Sequence, residues 1–282
     1  MREFRQVDVF GSAALTGNPV AVVHEAQGLS TEQMLAFTRW TNLSEATFLL
    51  PPRAPGADYR VLIFTLAGEL PFAGHPTLGS CHAWLEAGGV PAGSTVVQEC
   101  GAGLVELRRA GGRIAFAAPP LLRSGPVDEA VLEEIAVTLR LDRTAIVDAQ
   151  WVDNGPGWVG VRLVDAAAVL DVQPAPSAGS RAPFIGVVGL APPGSECAYE
   201  VRGFFPDADG HLREDPVTGS LNASLAQWLT AAGVVATPFV ASQGTRLGRR
   251  GRVAIDQDER GRVWVGGATA THITGQVDLE DA

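Results

Sequence analysis

The sequence predicts an α+β protein of two homologous domains, each a curved sheet around one buried helix. Short β-branched or alternating segments run through both halves of the 282 residues, and such segments are typical of strands. Each half also contains one strongly apolar helix that begins at a proline. When the chain is slid along itself by 140 residues, residues 76–80 superpose on residues 216–220, which indicates an internal repeat.

The first half contains most of the strand signals. Residues 4–10 alternate between apolar and polar side chains, residues 20–23 are β-branched, and residues 46–50 and 59–65 are typical of half-buried strands. Three further predicted strands, at residues 96–98, 105–108 and 113–117, close this half.

A helix is predicted after residue 30. Ser30 is placed to accept from the first turn and Gln33 to complete a capping box, while Leu29 and Met34 are spaced for a hydrophobic staple. The apolar face of this helix would be supplied by Met34, Leu35, Phe37 and Trp40.

The central helix of the first half is predicted to begin at Pro76 and to stop at residues 88–89, with proline at its first position and glycine beyond its end. It is apolar nearly all round, so it should be largely buried. In the second half a helix over 128–140, a hairpin at 154–157 and strands at 184–188 and 197–205 precede the matching helix, which runs from Pro216 to Gly233.

The repeat also sets the expected domain division. Beyond the helices the best offset becomes 145, which places Gln98 on Gln243 and Gly103 on Gly248. We therefore predict an N-terminal barrel-like domain over residues 1–120 and a C-terminal one over 121–282. The last strand, near residues 270–282, would cross back to the first domain.

Composition excludes several classes of function. All 21 basic residues are arginine, so Schiff-base chemistry, an internal pyridoxal aldimine and a phosphate-loop lysine are ruled out. A net charge of −10 with scattered arginines argues against a nucleic-acid partner.

Location follows from two further observations. Apolar runs stay short of the ~18 residues that a membrane span needs, and the N-terminus resembles a strand rather than a signal peptide. Three cysteines without paired spacing suggest neither disulfides nor a zinc site. We expect a cytoplasmic protein without a membrane partner.

Candidate site residues lie at the starts of the two central helices. His75 precedes Pro76 and Asp215 precedes Pro216, so each is predicted at an N-cap and the two are equivalent at the offset of 140. The positive helix ends, at residues 79–80 and at Gly219 and Ser220, would bind a substrate carboxylate. If the domains face each other, an imidazole and a carboxyl group flank this substrate, an arrangement suited to proton transfer at carbon.

Simpler interpretations of the same residues stay open at this point. Asp215 and His75 could be ordinary capping residues, and Glu45 could be an exposed glutamate at the start of a strand. The proline and glycine matches could preserve only the geometry of the helix starts.

Three motifs are misleading. Residues 155–160 read GxGxxG, but a β-branched strand follows instead of a helix, which favours a hairpin over a dinucleotide loop. His75, His82 and Glu86 lack a further ligand nearby, so no metal site is expected. A two-thiol racemase is excluded because Cys81 aligns with Leu221 at the offset of 140.

Several longer motifs resemble those of one family. They are residues 7–10, 17–22, 43–48, the block 64–79, residues 214–220, and Gln243-Gly244 with Gly248-Arg249. Together they resemble the PhzF-like (phenazine biosynthesis isomerase-like) proteins, which have a diaminopimelate epimerase-like fold. The similarity extends through almost the whole chain, although residues 121–195 carry no family motif and position 46 is alanine where relatives often have a small hydroxyl residue.

The resemblance implies a function without a cofactor. Each domain would be a β-barrel around its central helix, and the protein would form a homodimer. The family's glutamate matching Glu45 moves a proton between ring carbons of a dihydro-hydroxyanthranilate. By the same resemblance His75 and Asp215 contact polar substituents, while Gly74, Gly219 and Ser220 bind substrate.

The leading hypothesis is therefore a cofactor-independent isomerase acting on a small carboxylate substrate, with Glu45 as base and then acid. Efficient proton return would need a Glu45 pKa raised by partial burial. The alternatives are a two-base epimerase or racemase that uses Asp215, and a non-catalytic protein that binds small carboxylates.

Overall fold

The structure is a computed structural model, and it describes residues 1–177, 183–207 and 209–279. The end of the predicted terminal strand, residues 280–282, and part of the motif-free segment, residues 178–182, lie outside this range. In chain order the elements are β1 (Arg2–Val9), β2 (Asn18–Val23), α1 (Thr31–Thr41), β3 (Glu45–Leu50), β4 (Tyr59–Thr65), β5 (Glu69–Leu70), α2 (Gly74–Glu86), β6 (Val96–Cys100), β7 (Gly103–Ala110), β8 (Arg113–Ala117), β9 (Arg123–Pro126), α3 (Glu129–Leu139), β10 (Asp148–Asp153), β11 (Trp158–Arg162), α4 (Ala166–Asp171), β12 (Phe184–Leu190), β13 (Tyr199–Pro206), β14 (Leu212–Asp215), α5 (Gly219–Ala231), β15 (Phe239–Gln243), β16 (Gly251–Gln257), β17 (Val263–Gly267) and β18 (Thr269–Val277).

Packing divides the chain into two compact units. Unit 1 comprises residues 1–117 and the described residues from 266 onward, and unit 2 comprises residues 118–265. Among the described residues, no helix combines the length and apolar character that crossing a bilayer would require.

Unit 1 is a sheet assembled around helix α2. Strand β1 pairs antiparallel with β18 and β2, and β3 pairs antiparallel with β4. The pairs β2–β3 and β4–β6 are parallel, so each needs a crossover, and α1 and α2 supply them. Because α2 packs against β1, β2, β3 and β8, it lies along the inner face of the sheet.

Unit 2 repeats this plan. Strands β10 and β11 are antiparallel, β11 and β12 are parallel across α4, β12 and β13 are antiparallel, and β13 and β15 are parallel across α5. Helix α5 is buried almost throughout, as is the first half of α2. The predicted fold class, an α+β protein with curved sheet structure around buried helices, is confirmed.

Glycines in the strands of unit 2 allow α5 to approach its sheet. A Cβ atom at Gly186 of β12 would lie 2.2 Å from Leu221 Cδ1, and one at Gly160 of β11 would lie 2.8 Å from the Trp228 ring. Since side-chain carbons do not approach this closely, a larger residue at either position would force the α5 side chain to move.

Helix α1 confirms the predicted start and corrects the predicted face. Ser30 accepts from the Gln33 amide and the Gln33 side chain accepts from the Ser30 amide, which completes the capping box. Met34 and Phe37 are buried, but Trp40 is 82% exposed. The buried face of α1 is formed by Met34, Phe37 and Thr38, and at about 100° per residue Trp40 lies roughly a third of a turn away from its centre, so this side chain points away from the core.

The central helices begin at other residues than predicted. Helix α2 starts at Gly74, two residues before Pro76, and α5 starts at Gly219, three residues after Pro216. Both helices have 13 residues and their starts lie 145 residues apart. The offset of 140 therefore superposes similar letters in non-equivalent positions, and 145 is the offset that relates the two helices.

Candidate functional site

Glu45 and His75 lie in contact within unit 1. Glu45 is the first residue of β3, opposite Thr65 of β4, and His75 is the second residue of α2. Glu45 Oε2 lies 3.4 Å from His75 Nε2. The His75 side chain is 3% exposed and that of Glu45 is 15% exposed, so the glutamate side chain keeps partial contact with solvent while the imidazole does not. The Oε2 atom that faces His75 is itself buried.

Burial of the His75 imidazole disfavours its protonated form. Loss of solvation lowers the pKa of His75 to about 3, and a hydrogen bond to the Pro19 backbone offsets only part of this effect. At neutral pH His75 is uncharged. It therefore meets Glu45 as a polar neighbour and not as a cation.

Asn18 holds the other side of the imidazole. It is the first residue of β2 and is 1% exposed, and its Nδ2 lies 3.4 Å from His75 Nδ1. The preceding turn is fixed by the buried Asp8 carboxylate, which accepts hydrogen bonds from the Thr16 and Gly17 amides. Sequence reasoning gave Asn18 no role, although it belongs to one of the family motifs.

Asp215 lies in unit 2, where a buried network fixes it. It is the last residue of β14, and its Oδ2 accepts a 2.6 Å hydrogen bond from the Thr218 hydroxyl. Gln243 donates to the Asp215 carbonyl and to Thr218 Oγ1, and its own carbonyl accepts from the Thr218 amide. The carboxylate is thus held in one orientation.

Both central helices begin with backbone amides that no side chain caps. The N-cap residues Ala73 of α2 and Thr218 of α5 make no side-chain capping bond within the described residues. Gly74 is the first residue of α2, while Gly219 and Ser220 are the first two of α5. Free amides at the positive end of a helix favour an anion.

The predicted N-cap positions of His75 and Asp215 are therefore wrong. His75 lies inside the first turn of α2, and Asp215 ends a strand three residues before the N-cap of α5. At the offset of 145 the residue equivalent to His75 is Ser220. His75 and Asp215 therefore occupy non-equivalent positions in the two units.

In both units a side-chain hydrogen bond joins the same two equivalent positions, although the donor differs, and this supports the alignment. Gln98 Nε2 donates to Thr77 Oγ1 in unit 1, and Asn222 Nδ2 donates to Gln243 Oε1 in unit 2. Thr77 and Asn222, like the two glutamines, are 145 residues apart. The match between Gln98 and Gln243 was the sequence signal that could have corrected the offset.

The misleading motifs have structural explanations. Residues 155–160 include the turn between antiparallel β10 and β11, so the predicted hairpin is confirmed. His82 Nε2 lies 3.2 Å from Glu86 and 3.2 Å from the Thr271 hydroxyl, contacts that tie α2 to β18. Cys81 is equivalent to Ala226 rather than Leu221, and burial raises the pKa of its thiol to about 12, so it is no acid–base partner near neutrality.

Three acceptor-rich side chains, Asp207, Asp209 and His211, lie close enough to share a metal, with ligand atoms within 4.8 Å of one another. Asp207 Oδ1 already accepts from the Asp209 and His211 amides, and its Oδ2 accepts from Arg213. These hydrogen bonds account for the proximity of the three side chains without a metal ion.

A carboxylate held against a buried neutral imidazole can take a proton from carbon and return it. Uncapped helix starts can bind an anionic group. On a repeated α+β fold, groups of this kind are suited to the proton transfers that isomerases and epimerases carry out.

Comparison with known proteins gives the family. Residues 7–275 match the PhzC-PhzF model, described as phenazine biosynthesis-like protein. The chain belongs to this family.

The relatives include named isomerases. A trans-2,3-dihydro-3-hydroxyanthranilate isomerase from Pseudomonas chlororaphis is 33% identical over 99% of this chain and 100% of its own. Antisense-enhancing sequence 1 of Schizosaccharomyces pombe is 36% identical, covering 97% of each chain. A solved structure of a predicted epimerase from Pseudomonas aeruginosa matches with a TM-score of 0.80 and 26% identity, over 98% of this chain and 99% of that one. The predicted family and the predicted isomerase class are confirmed.

Proposed function

We propose that this protein moves a proton on a small carboxylate-bearing substrate without a cofactor, and that Glu45 carries the proton. The observation that carries this proposal is the contact between Glu45 and the neutral His75, 3.4 Å apart, in which only the glutamate side chain keeps partial contact with solvent. A neutral imidazole forms no ion pair with Glu45, so this contact does not oppose protonation of the carboxylate as a cation would.

The proposed step balances without any further reactant. The Glu45 carboxylate removes a proton from an sp³ carbon, and the electron pair left behind is delocalised into the adjoining unsaturated system of the substrate. The protonated Glu45, whose carboxyl proton can exchange with solvent, then delivers a proton to another carbon of that system. No electrons leave the substrate, so the overall change is an isomerisation.

The substrate class is proposed from the relatives and from the uncapped helix ends. The first candidate is trans-2,3-dihydro-3-hydroxyanthranilate, the compound in the names of relatives with 33% identity. Gly219 and Ser220 are proposed to bind its carboxylate and Gly74 to line the site. Asp215, fixed as a hydrogen-bond acceptor by Thr218, is proposed to bind an amino or hydroxyl group, and His75 is proposed to contact a polar substituent.

The test measures deuterium incorporation from solvent into trans-2,3-dihydro-3-hydroxyanthranilate. Glu45→Gln keeps the shape but cannot accept the proton, so we expect exchange to fall by about 10²–10⁴-fold. Glu32→Gln, at an exposed position in the first turn of α1, serves as the matched control and should exchange at the wild-type rate. Wild-type exchange by Glu45→Gln would refute the assignment.

An epimerase is the second candidate, favoured by the name of the 26% identical structural relative. It would use two bases, with Asp215 as one of them. Its product would show inversion at a single carbon, whereas transfer by Glu45 alone moves the proton to a different carbon. Analysis of the product's stereochemistry by NMR separates the two candidates.

Assembly and location are also part of the proposal. We propose a homodimer, as the family resemblance implies, in the cytoplasm, with neither nucleic acid nor membrane as partner. The three cysteines, all within the described residues, are free thiols, which supports a reducing compartment. Sedimentation velocity tests the dimer, because a mass near 29.5 kDa at micromolar concentration would exclude it.

A further inference from the structure

The turn between β10 and β11 holds Ser220 from two sides. Trp158 Nε1 donates a 3.2 Å hydrogen bond to Ser220 Oγ, and Asn154 Nδ2 donates a 2.9 Å hydrogen bond to the Ser220 carbonyl. Trp158, Ser220 and Asn154 are 2%, 8% and 9% exposed. The segment that the sequence presents as a false dinucleotide motif therefore contacts a candidate site residue directly.

The turn is built to hold these donors still. Asp153 Oδ1 accepts 2.7 Å hydrogen bonds from the Gly155 and Gly157 amides, and both glycines have positive φ angles, 142° and 89°. The Trp158 ring also packs edge-on against Phe184, with 5.2 Å between centroids. The indole N–H is thus fixed before any ligand arrives.

In the contact between Trp158 and Ser220, the indole can only be the donor and the hydroxyl oxygen the acceptor. An indole nitrogen can only donate, whereas a serine hydroxyl has one hydrogen and two lone pairs. Trp158 occupies a lone pair of Ser220 Oγ, so the hydroxyl hydrogen must point away from the indole. In the part of the chain that the structure describes, the Ser220 hydroxyl makes no donated hydrogen bond.

We propose that Trp158 is a positioning residue that turns the Ser220 hydroxyl into a donor toward the carboxylate of the ligand. The hydroxyl then acts together with the uncapped amides of Gly219 and Ser220, which are also donors. Such a donor-only arrangement binds a carboxylate and disfavours the corresponding carboxamide, whose NH₂ group needs acceptors. The inference rests on the proposed function, since it assumes that Ser220 binds the substrate carboxylate.

The test uses 3-hydroxyanthranilate as probe, because it keeps the ring carboxylate but has no sp³ carbon to react. Calorimetry compares its binding to the wild type, Trp158→Phe, Ser220→Ala and the double variant. We expect Ser220→Ala to weaken binding about tenfold and Trp158→Phe about fivefold, from the loss or misorientation of one hydrogen bond to a charged group. The double variant should bind no more weakly than Ser220→Ala, because Trp158 acts through the serine.

Trp264→Phe is the matched control. Trp264 is buried and its indole donates a 3.0 Å hydrogen bond to Asp258 in a different turn, so its loss should leave probe binding unchanged. The carboxamide of the probe provides a second comparison, since the preference of the wild type for the carboxylate should shrink in Trp158→Phe.

The outcomes separate this inference from the proposed function. If Ser220→Ala weakens binding but Trp158→Phe does not, or if the two effects multiply in the double variant, the inference is refuted and the carboxylate site stands. If the wild type fails to bind the probe, or Ser220→Ala binds it as well as the wild type, the carboxylate site and the inference both fall.

A measurement on the unaltered tryptophan covers the case in which Trp158→Phe does not fold. The Trp158 indole ¹H–¹⁵N resonance, assigned from triple-resonance spectra, should move in Ser220→Ala while that of Trp264 stays in place. An unmoved Trp158 resonance would refute the hydrogen bond on which the inference depends.

Discussion

Replacing His75 by asparagine should make the protein less sensitive to acid. The imidazole is fully buried and uncharged in the fold, where its pKa is about 3, whereas in the unfolded chain it titrates near the ordinary value of 6.5. As the pH falls below 6.5, the unfolded state binds a proton that the folded state does not bind. The free energy of unfolding therefore decreases as the pH falls, until the folded-state pKa is reached.

The size of the effect follows from the two pKa values. A pH of 5 lies about 1.5 units below the pKa of the unfolded imidazole, which lowers the free energy of unfolding by about 2 kcal/mol relative to pH 8. Burial also lowers the pKa of His24 and of His82, so their contributions have the same sign. These contributions are common to wild type and variant, and the difference between the two proteins isolates His75.

The assay is urea unfolding at pH 8 and pH 5, followed by circular dichroism. His75→Asn will be less stable at both pH values because it loses a packed ring, so the quantity compared is the change between them. We expect this change to be about 2 kcal/mol smaller in His75→Asn than in the wild type. His211→Asn, whose imidazole is 61% exposed, should follow the wild type.

An equal change in His75→Asn and in the wild type would refute the reasoning. It would mean that the imidazole takes up a proton in the folded state as readily as in the unfolded one. His75 would then become a cation beside Glu45 below about pH 6.5, and the argument for a partner that stays neutral would fail with it.

Two predictions concern the fold around the site, and urea unfolding checks both. Gly186→Ala should lower the free energy of unfolding by about 1–3 kcal/mol, because the new methyl group would lie 2.2 Å from Leu221 Cδ1. The control Gly93→Ala, with open space around its Cβ position, should be nearly neutral. Equal stability of the two variants would contradict the close approach of α5. Arg202→Ala should cost about 3–5 kcal/mol, since it leaves a largely buried glutamate without its ion pair. Arg143→Ala, which removes a largely exposed ion pair, should have a marginal effect, and a small loss for Arg202→Ala would show that its ion pair is not buried in solution.

The repeated fold could be predicted because local signals agree with the tertiary plan. The capping box at Ser30 needs only residues within one turn, and the turn at residues 154–157 needs only its glycines and the strands on either side. The apolar composition of the central helices likewise predicted their burial. Interactions of this kind are short in sequence, so they can be recognised without knowing the fold.

The starts of the central helices could not be predicted in the same way. A proline before an apolar run favours a helix start at that proline, yet α2 begins before Pro76 and α5 after Pro216. In unit 2 the start is set by Gln243, which binds the Thr218 amide from a strand 25 residues away. Such a bond overrides the local preference, and it displaced the predicted equivalence of His75 and Asp215.

By itself, the sequence determined the fold class, the duplication, the family and the isomerase class. These rest on periodicity, on turn residues and on long motifs, which are properties of the chain read in order. Only the tertiary structure decided that His75 is buried and neutral beside Glu45, that Thr218 and Gln243 hold Asp215, and that Trp158 donates to Ser220. The physical reason is that charge state and hydrogen-bond direction depend on burial and on partners distant in the chain, which residue order alone does not specify.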